Sequence, residues 1–127
     1  LHILFVCQFY LFIGYIFIKV KEVIKLDAQI KKGILEMCLL YKLSEKDYYG
    51  YSLMREMKII FPEVNDSTFY AVLRRLKNEG AADMYYGKES GGPKRKYYKI
   101  TEYGLKVLEK YICDWNKLKE IVAQLGI

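Results

Sequence analysis

One histidine, one tryptophan, two prolines and three cysteines in 127 residues exclude several kinds of chemistry at the outset. The lone histidine is His2, so a Ser-His or Cys-His catalytic pair lacks its second member. Cys7, Cys38 and Cys113 are odd in number and widely separated, without the Cys-x-x-Cys or Cys/His spacing of zinc sites and disulfide frameworks. They read as inert thiols of a reducing cytosol, and no metal ion or cofactor is expected. Paired carboxylates in a consistent setting and the phosphate-binding P-loop pattern are also missing, which argues against an enzyme. No internal repeat or low-complexity tract stands out.

What is present is cationic and aromatic. Twenty-one lysines and arginines stand against fifteen acidic residues, a formal charge of +6, and there are thirteen tyrosines. That surplus implies an acidic partner, a nucleic acid or an anionic membrane surface, and is silent on the fold. The length suits one domain with a real hydrophobic core.

The most informative stretch is NDSTFYAVLRRLKNEG, residues 65–80. Phe69, Val72, Leu73 and Leu76 recur at i, i+3, i+4 and i+7, the apolar stripe of an amphipathic helix. A rotation of about 100° per residue sets Ser67, Tyr70, Ala71, Arg74, Arg75 and Asn78 on the opposite side, a face without a carboxylate that suits DNA. An ordinary solvated helix carries arginines at the same spacing, so context has to decide. Asn65 is expected to cap this helix through its side chain, Asp66 to favour the positive end of its dipole, and Gly80 to stop it in the left-handed conformation.

Upstream, Ile30, Ile34, Met37, Cys38 and Tyr41 give a first helix over about residues 27–43, and polar residues 44–50 break it as a connection. Tyr51, Leu53, Met54, Met57 and Ile60 make a second helix that Pro62 closes. Two helices joined by a tight turn, the second basic on its outer face, form a helix-turn-helix. Downstream, residues 81–87 and 96–100 are β-prone. Gly91, Gly92 and Pro93 let the chain reverse between them, giving a hairpin with a basic tip of Lys88, Lys94, Arg95, Lys96 and Lys99, suited to backbone phosphates.

Thr101 caps a last helix with Glu102 in its first turn. Its apolar positions, Leu105, Leu108, Ile112, Trp115, Leu118, Val122 and Leu125, step by three and four over about six turns. So narrow a stripe needs a second surface. The same helix of a second copy, giving a two-fold dimer, is the simplest candidate; folding back on the first helix of its own chain is the alternative.

The order helix, helix-turn-helix, wing, long terminal helix resembles the PadR family of bacterial transcriptional regulators. The matching pieces are QIKKGILEMCLL at 29–40, YGYSLM at 49–54, STFYAVLRRLKNEG at 67–80 and GGPKRKYYKIT at 91–101. The resemblance spans about residues 27–125. It implies a mainly α fold with a small β-hairpin wing, working as a dimeric winged helix-turn-helix repressor on an inverted repeat of double-stranded DNA. It sets Tyr70, Arg74 and Arg75, with Ser67 and Thr68, on the recognition helix, and Lys94, Arg95 and Lys96 on the wing. It also implies that Trp115 stacks on a planar aromatic effector between subunits, although a single tryptophan on an apolar stripe also reads as core packing. Ala71 stands where many members carry proline, and Ala81 and Ala82 replace larger aliphatics, from which a looser wing is expected.

Residues 1–18 carry no formal charge, and as a helix they would be about 27 Å long, enough to cross a bilayer core. A signal peptide lacks its basic n-region here. A membrane anchor with Lys19, Lys21, Lys25, Lys31 and Lys32 on the cytoplasmic side is one reading. The favoured one takes Leu26 as the start residue expected from the resemblance, with residues 1–25 as upstream sequence. The expected organisation is therefore an extension at 1–25, a DNA-binding domain at 26–100 and a dimerisation helix at 101–127, in a cytoplasmic protein. The rival is a membrane-tethered winged helix that binds a protein or anionic lipid through its basic face.

Overall fold

The computed structural model describes residues 8, 10–15, 28–87 and 92–127. Residues 10–15 are helical, and the main body runs α1 (Ala28–Glu45), β1 (Tyr48–Tyr49), α2 (Gly50–Ile60), α3 (Asp66–Asn78), β2 (Ala82–Gly87), β3 (Arg95–Ile100) and α4 (Glu102–Gln124). The two readings of residues 1–25 fall largely outside the described residues, among which no helix is long and apolar enough to cross a membrane.

The apolar stripe of α3 does what its spacing requires. Phe69, Val72, Leu73 and Leu76 are buried against Leu35, Leu39, Leu40 and Leu43 of α1 and Leu53, Met54 and Met57 of α2. Phe69 is fully buried, and its truncation to alanine should cost about 3–5 kcal/mol. α2 ends where Pro62 requires it, with the Phe61 N–H donating to Met57 O at 2.8 Å. The turn that follows folds on itself through Val64 N to Phe61 O, 3.1 Å, and buries Val64 beneath the start of α3.

Both ends of α3 were expected to be fixed by its own sequence, and one is. At the C-terminus Gly80 takes φ +81°, Ala81 N donates to Leu76 O at 2.8 Å and Gly80 N to Lys77 O at 3.1 Å, a Schellman end. At the N-terminus the side chain of Asn65 makes no capping hydrogen bond. Its backbone carbonyl accepts from Thr68 N at 3.0 Å instead, Asp66 supplies the negative charge of the first turn, and the amide of Asn65 stays exposed.

The wing is an antiparallel sheet of order β1-β3-β2. Its hairpin strands pair Met84 with Tyr98 and Tyr85 with Tyr97; β1 adds Tyr48 opposite Tyr98 and Tyr49 opposite Tyr97. The segment read as a plain connection thus contains a two-residue strand. Two residues offer no alternation to detect, and only the free edge of β3 makes them a strand.

Ala81 and Ala82 do not leave a gap at the base of the wing. Both are buried, and the start of α4 comes down on them. Thr101 links the two, donating its N–H to Ala81 O at 3.1 Å and its hydroxyl to Gly80 O at 2.6 Å. The same hydroxyl caps α4 by accepting from Gly104 N at 3.0 Å. The first turns of α4 then lie on the chain's own core: Leu108 is only 5% exposed, with Val107 and Tyr111 packed beside it. Leu108 is therefore an internal core residue and not part of a bare dimer stripe. Beyond Tyr111 the apolar side chains Ile112, Trp115, Leu118, Ile121 and Leu125 are exposed.

Candidate nucleic-acid interface

The start of α3, the start of α2 and the wing tip surround an open cleft of ≈ 430 Å³. Tyr70 contributes from α3, Gly50 and Tyr51 from α2, and Pro93, Lys94, Arg95 and Lys96 from the wing. Gly50 is what lets β3 approach, since a Cβ there would meet the Tyr98 ring at 3.1 Å. A second groove of ≈ 460 Å³ runs between α2 and α3 and shares Tyr51 and Tyr70 with the first, adding Arg55, Lys58 and Ser67. The phenol of Tyr70 is held above its ordinary pKa, first by burial and then by neighbouring Tyr98 and Asp66.

One of the wing's cationic residues, Arg95, is placed by aromatic packing. The guanidinium of Arg95 lies 4.8 Å from the centre of the Tyr49 ring. Tyr49 in turn packs on Tyr97 at 6.0 Å, and Tyr97 stacks on Tyr85 at 5.5 Å and 16°. The row ends at Asp47, whose carboxylate accepts from the Tyr85 hydroxyl at 2.7 Å and thereby raises that phenol's pKa. Gly87 completes the surface, because a Cβ there would fall 2.6 Å from Tyr97 Cδ2. Lys94 and Lys96 are exposed beside Arg95.

On the other flank of α3 the picture changes. Thr68 and Arg75 border a hollow of ≈ 410 Å³ together with Lys31 and Lys32 of α1. Arg75 does not present its guanidinium with Arg74: Nη2 lies against Oε1 of Glu36 on α1, and Glu36 Oε2 accepts from the Tyr111 hydroxyl on α4. Nε and Nη2 of Arg75 are cut off from solvent, and the contact with Glu36 is one of charge rather than an aligned hydrogen bond. Burial, then the hydrogen bond to Glu36, pushes the Tyr111 phenol up to about 12.

A second ionic cluster holds α1 to α2. Lys42 pairs with Glu56 at 2.9 Å, and the Tyr48 hydroxyl donates to the same carboxylate at 3.1 Å. These contacts raise the lysine's pKa and lower that of Glu56. Lys58 donates to Val64 O at 2.8 Å and stands 3.8 Å from Asp66, tying α2 to the entry of α3.

Of the residues that the sequence assigned to DNA, the structure brings Ser67, Tyr70, Lys94, Arg95 and Lys96 to one side and leaves Arg74 exposed on α3. Thr68 and Arg75 lie toward α1 instead. Helical rotation alone could not foresee this, since it assigns Arg75 to the polar side and takes no account of a buried carboxylate waiting on another helix. Tyr51, Arg55 and Lys58 were missed. Their signal was there: they step by four and three on α2, on the side away from Leu53 and Met57 and beside Met54, which lines the same groove. Trp115 lies on α4, well away from the cleft in sequence and 39% exposed. Among the described residues no group of acidic, histidine or cysteine side chains could hold a metal ion.

Known proteins share this architecture. The family model described as the Transcriptional regulator PadR-like family matches residues 39–110. An uncharacterised protein of Lysinibacillus sphaericus is 36% identical over 98 residues, covering 75% of this chain and 90% of its own. Among solved structures, a PadR-like transcriptional regulator from Bacillus cereus is 36% identical with a TM-score of 0.69, covering 77% of this chain and 96% of its own. A Streptococcus transcriptional regulator, 25% identical, superimposes with a TM-score of 0.73 over 80% of this chain and 100% of its own.

Proposed function

The chain belongs to the PadR-like family of transcriptional regulators, a family of regulators and not of enzymes, and from that premise we propose that it is a homodimeric repressor of an inverted-repeat operator. Each α3 enters a major groove. Ser67, Tyr70 and Arg74 meet base edges, while Lys94, Arg95 and Lys96 of the wing, with Arg55 and Lys58 of α2, hold the flanking phosphates. The observation that carries this reading is the meeting of Tyr70 with Lys94, Arg95 and Lys96 around one open cleft, with no carboxylate lining it among the described residues. Thr68, on the α1 flank, is placed for a phosphate rather than a base.

The two copies join through the outer part of α4, by Ile112, Trp115, Leu118, Val122 and Leu125, with Leu105 at its margin. A planar aromatic effector stacking on Trp115 between the copies would shift one reading head against the other and release the operator. The test is selection from random duplexes followed by footprinting. A protected palindrome with half-sites about one helical turn apart is expected; selection that yields no palindrome, or centrifugation that finds only monomers, rejects the proposal.

A further inference from the structure

Two helices with different tasks are tied to one carboxylate. Glu36 is 7% exposed, set on α1 between Leu35 and the Leu39–Leu40 pair of the core. Its Oε1 faces Arg75 of α3 and its Oε2 accepts from Tyr111 of α4. Two nitrogens of Arg75 are sealed from solvent, so this cation depends on Glu36 for compensation at its inner end. A carboxylate shared in this way has a fixed direction. Rotating either helix breaks a contact that water cannot readily replace.

Tyr111 also marks a boundary on α4. Before it Val107 and Leu108 lie on the chain's own core; after it Ile112, Trp115, Leu118, Ile121 and Leu125 are exposed, and Trp115 comes one turn later on the same face as Tyr111. Tyr111 thus stands where the part of α4 packed on its own core meets the part that is not.

We propose that Glu36 is a positioning residue that sets the angle of the reading heads: through Tyr111 it registers the orientation of α4, and through Arg75 it fixes α3 to match. This rests on the dimeric DNA-binding reading above. The consequence is specific to a dimer. A rigid link makes the protein demand one half-site spacing, and a slack link lets it accept neighbouring ones.

Operator duplexes selected by the wild-type protein, and copies with the half-sites moved by one base pair, are titrated with wild type, Tyr111→Phe and Glu36→Gln. Urea midpoints and binding to a single half-site are measured alongside. Both variants should hold a half-site as wild type does, while the preference for the selected spacing falls about tenfold, the scale set by one hydrogen bond to a charged acceptor. An unchanged spacing preference overturns the proposal. So does uniform weakening on every duplex in step with lost stability, which a packing defect alone would give. If Glu36→Gln does not fold, Tyr111→Phe decides by itself, since it removes only a hydroxyl. A wild-type protein that selects no inverted repeat rejects the DNA-binding reading and this inference together. One that selects a repeat whose spacing the variants still demand rejects only the inference.

Discussion

Gly104 sits directly over the backbone carbonyl of Ala81, so close that a Cβ on the glycine would overlap that oxygen and come within 2.7 Å of Ile100 Cγ1. This contact seats α4 on the wing, and backbone cannot move aside as a flexible side chain can. Gly104→Ala should therefore destabilise the protein by about 2 kcal/mol or more, against the small gain that alanine brings to an open helix. Urea unfolding measures it. A variant as stable as wild type would mean that α4 docks elsewhere.

Adjacent arginines on α3 should fail in different ways. Arg74 is exposed, so Arg74→Ala should leave the unfolding midpoint nearly unchanged and weaken operator binding by about 1–3 kcal/mol. Arg75→Ala leaves Glu36 without its cation and should cost about 2 kcal/mol of stability, less than a fully buried pair because its side chain is 31% exposed. Thermal melts and mobility shifts on the same two variants separate the effects. Equal behaviour of the two would remove the division of labour.

Much of this was legible because the decisive residues act locally. Phe69, Val72, Leu73 and Leu76 announce a helix by spacing alone, and Gly80 and Thr101 end and begin helices through bonds to residues a few positions away. What stayed hidden depends on distant partners. Tyr48 and Tyr49 form a strand only because β3 lies beside them, and Arg75 turns inward only because Glu36 is there. Leu108 sits in the same periodic stripe as Leu118, yet one is buried and the other bare, and periodicity cannot say where a docked helix leaves its core.

Alkaline solution offers a test of the Tyr111 site. Burial and the Glu36 hydrogen bond favour the neutral phenol, raising its pKa from 10.0 to about 12, with Glu79 adding repulsion and Arg75 opposing it. A raised pKa means that the folded state holds the proton more tightly. Its contribution is intact below pH 10 and is lost as the pH climbs through about 12. Tyr111→Phe should thus be less stable than wild type near neutrality, and the gap should close as the pH rises over that range. A gap that stays constant would mean that the phenol titrates normally.

The bare end of α4 gives the last prediction. Leu118 is 51% exposed within one chain, so Leu118→Glu should leave the fold of that chain alone. If a two-fold partner covers it, the substitution is felt twice, once from each copy. Burying a leucine is worth about 1.5–3 kcal/mol, so the dissociation constant of the dimer should rise by about a hundredfold or more. Sedimentation would show monomers at concentrations where wild type is paired. Trp115, one turn earlier, reports the same event optically: its emission should shift to the blue as wild type associates and stay put in the variant. A flat aromatic dye that quenches Trp115 in wild type but not in Leu118→Glu would locate its site between the copies. Equal quenching in both would place the dye on a single helix and remove the effector from the dimer interface.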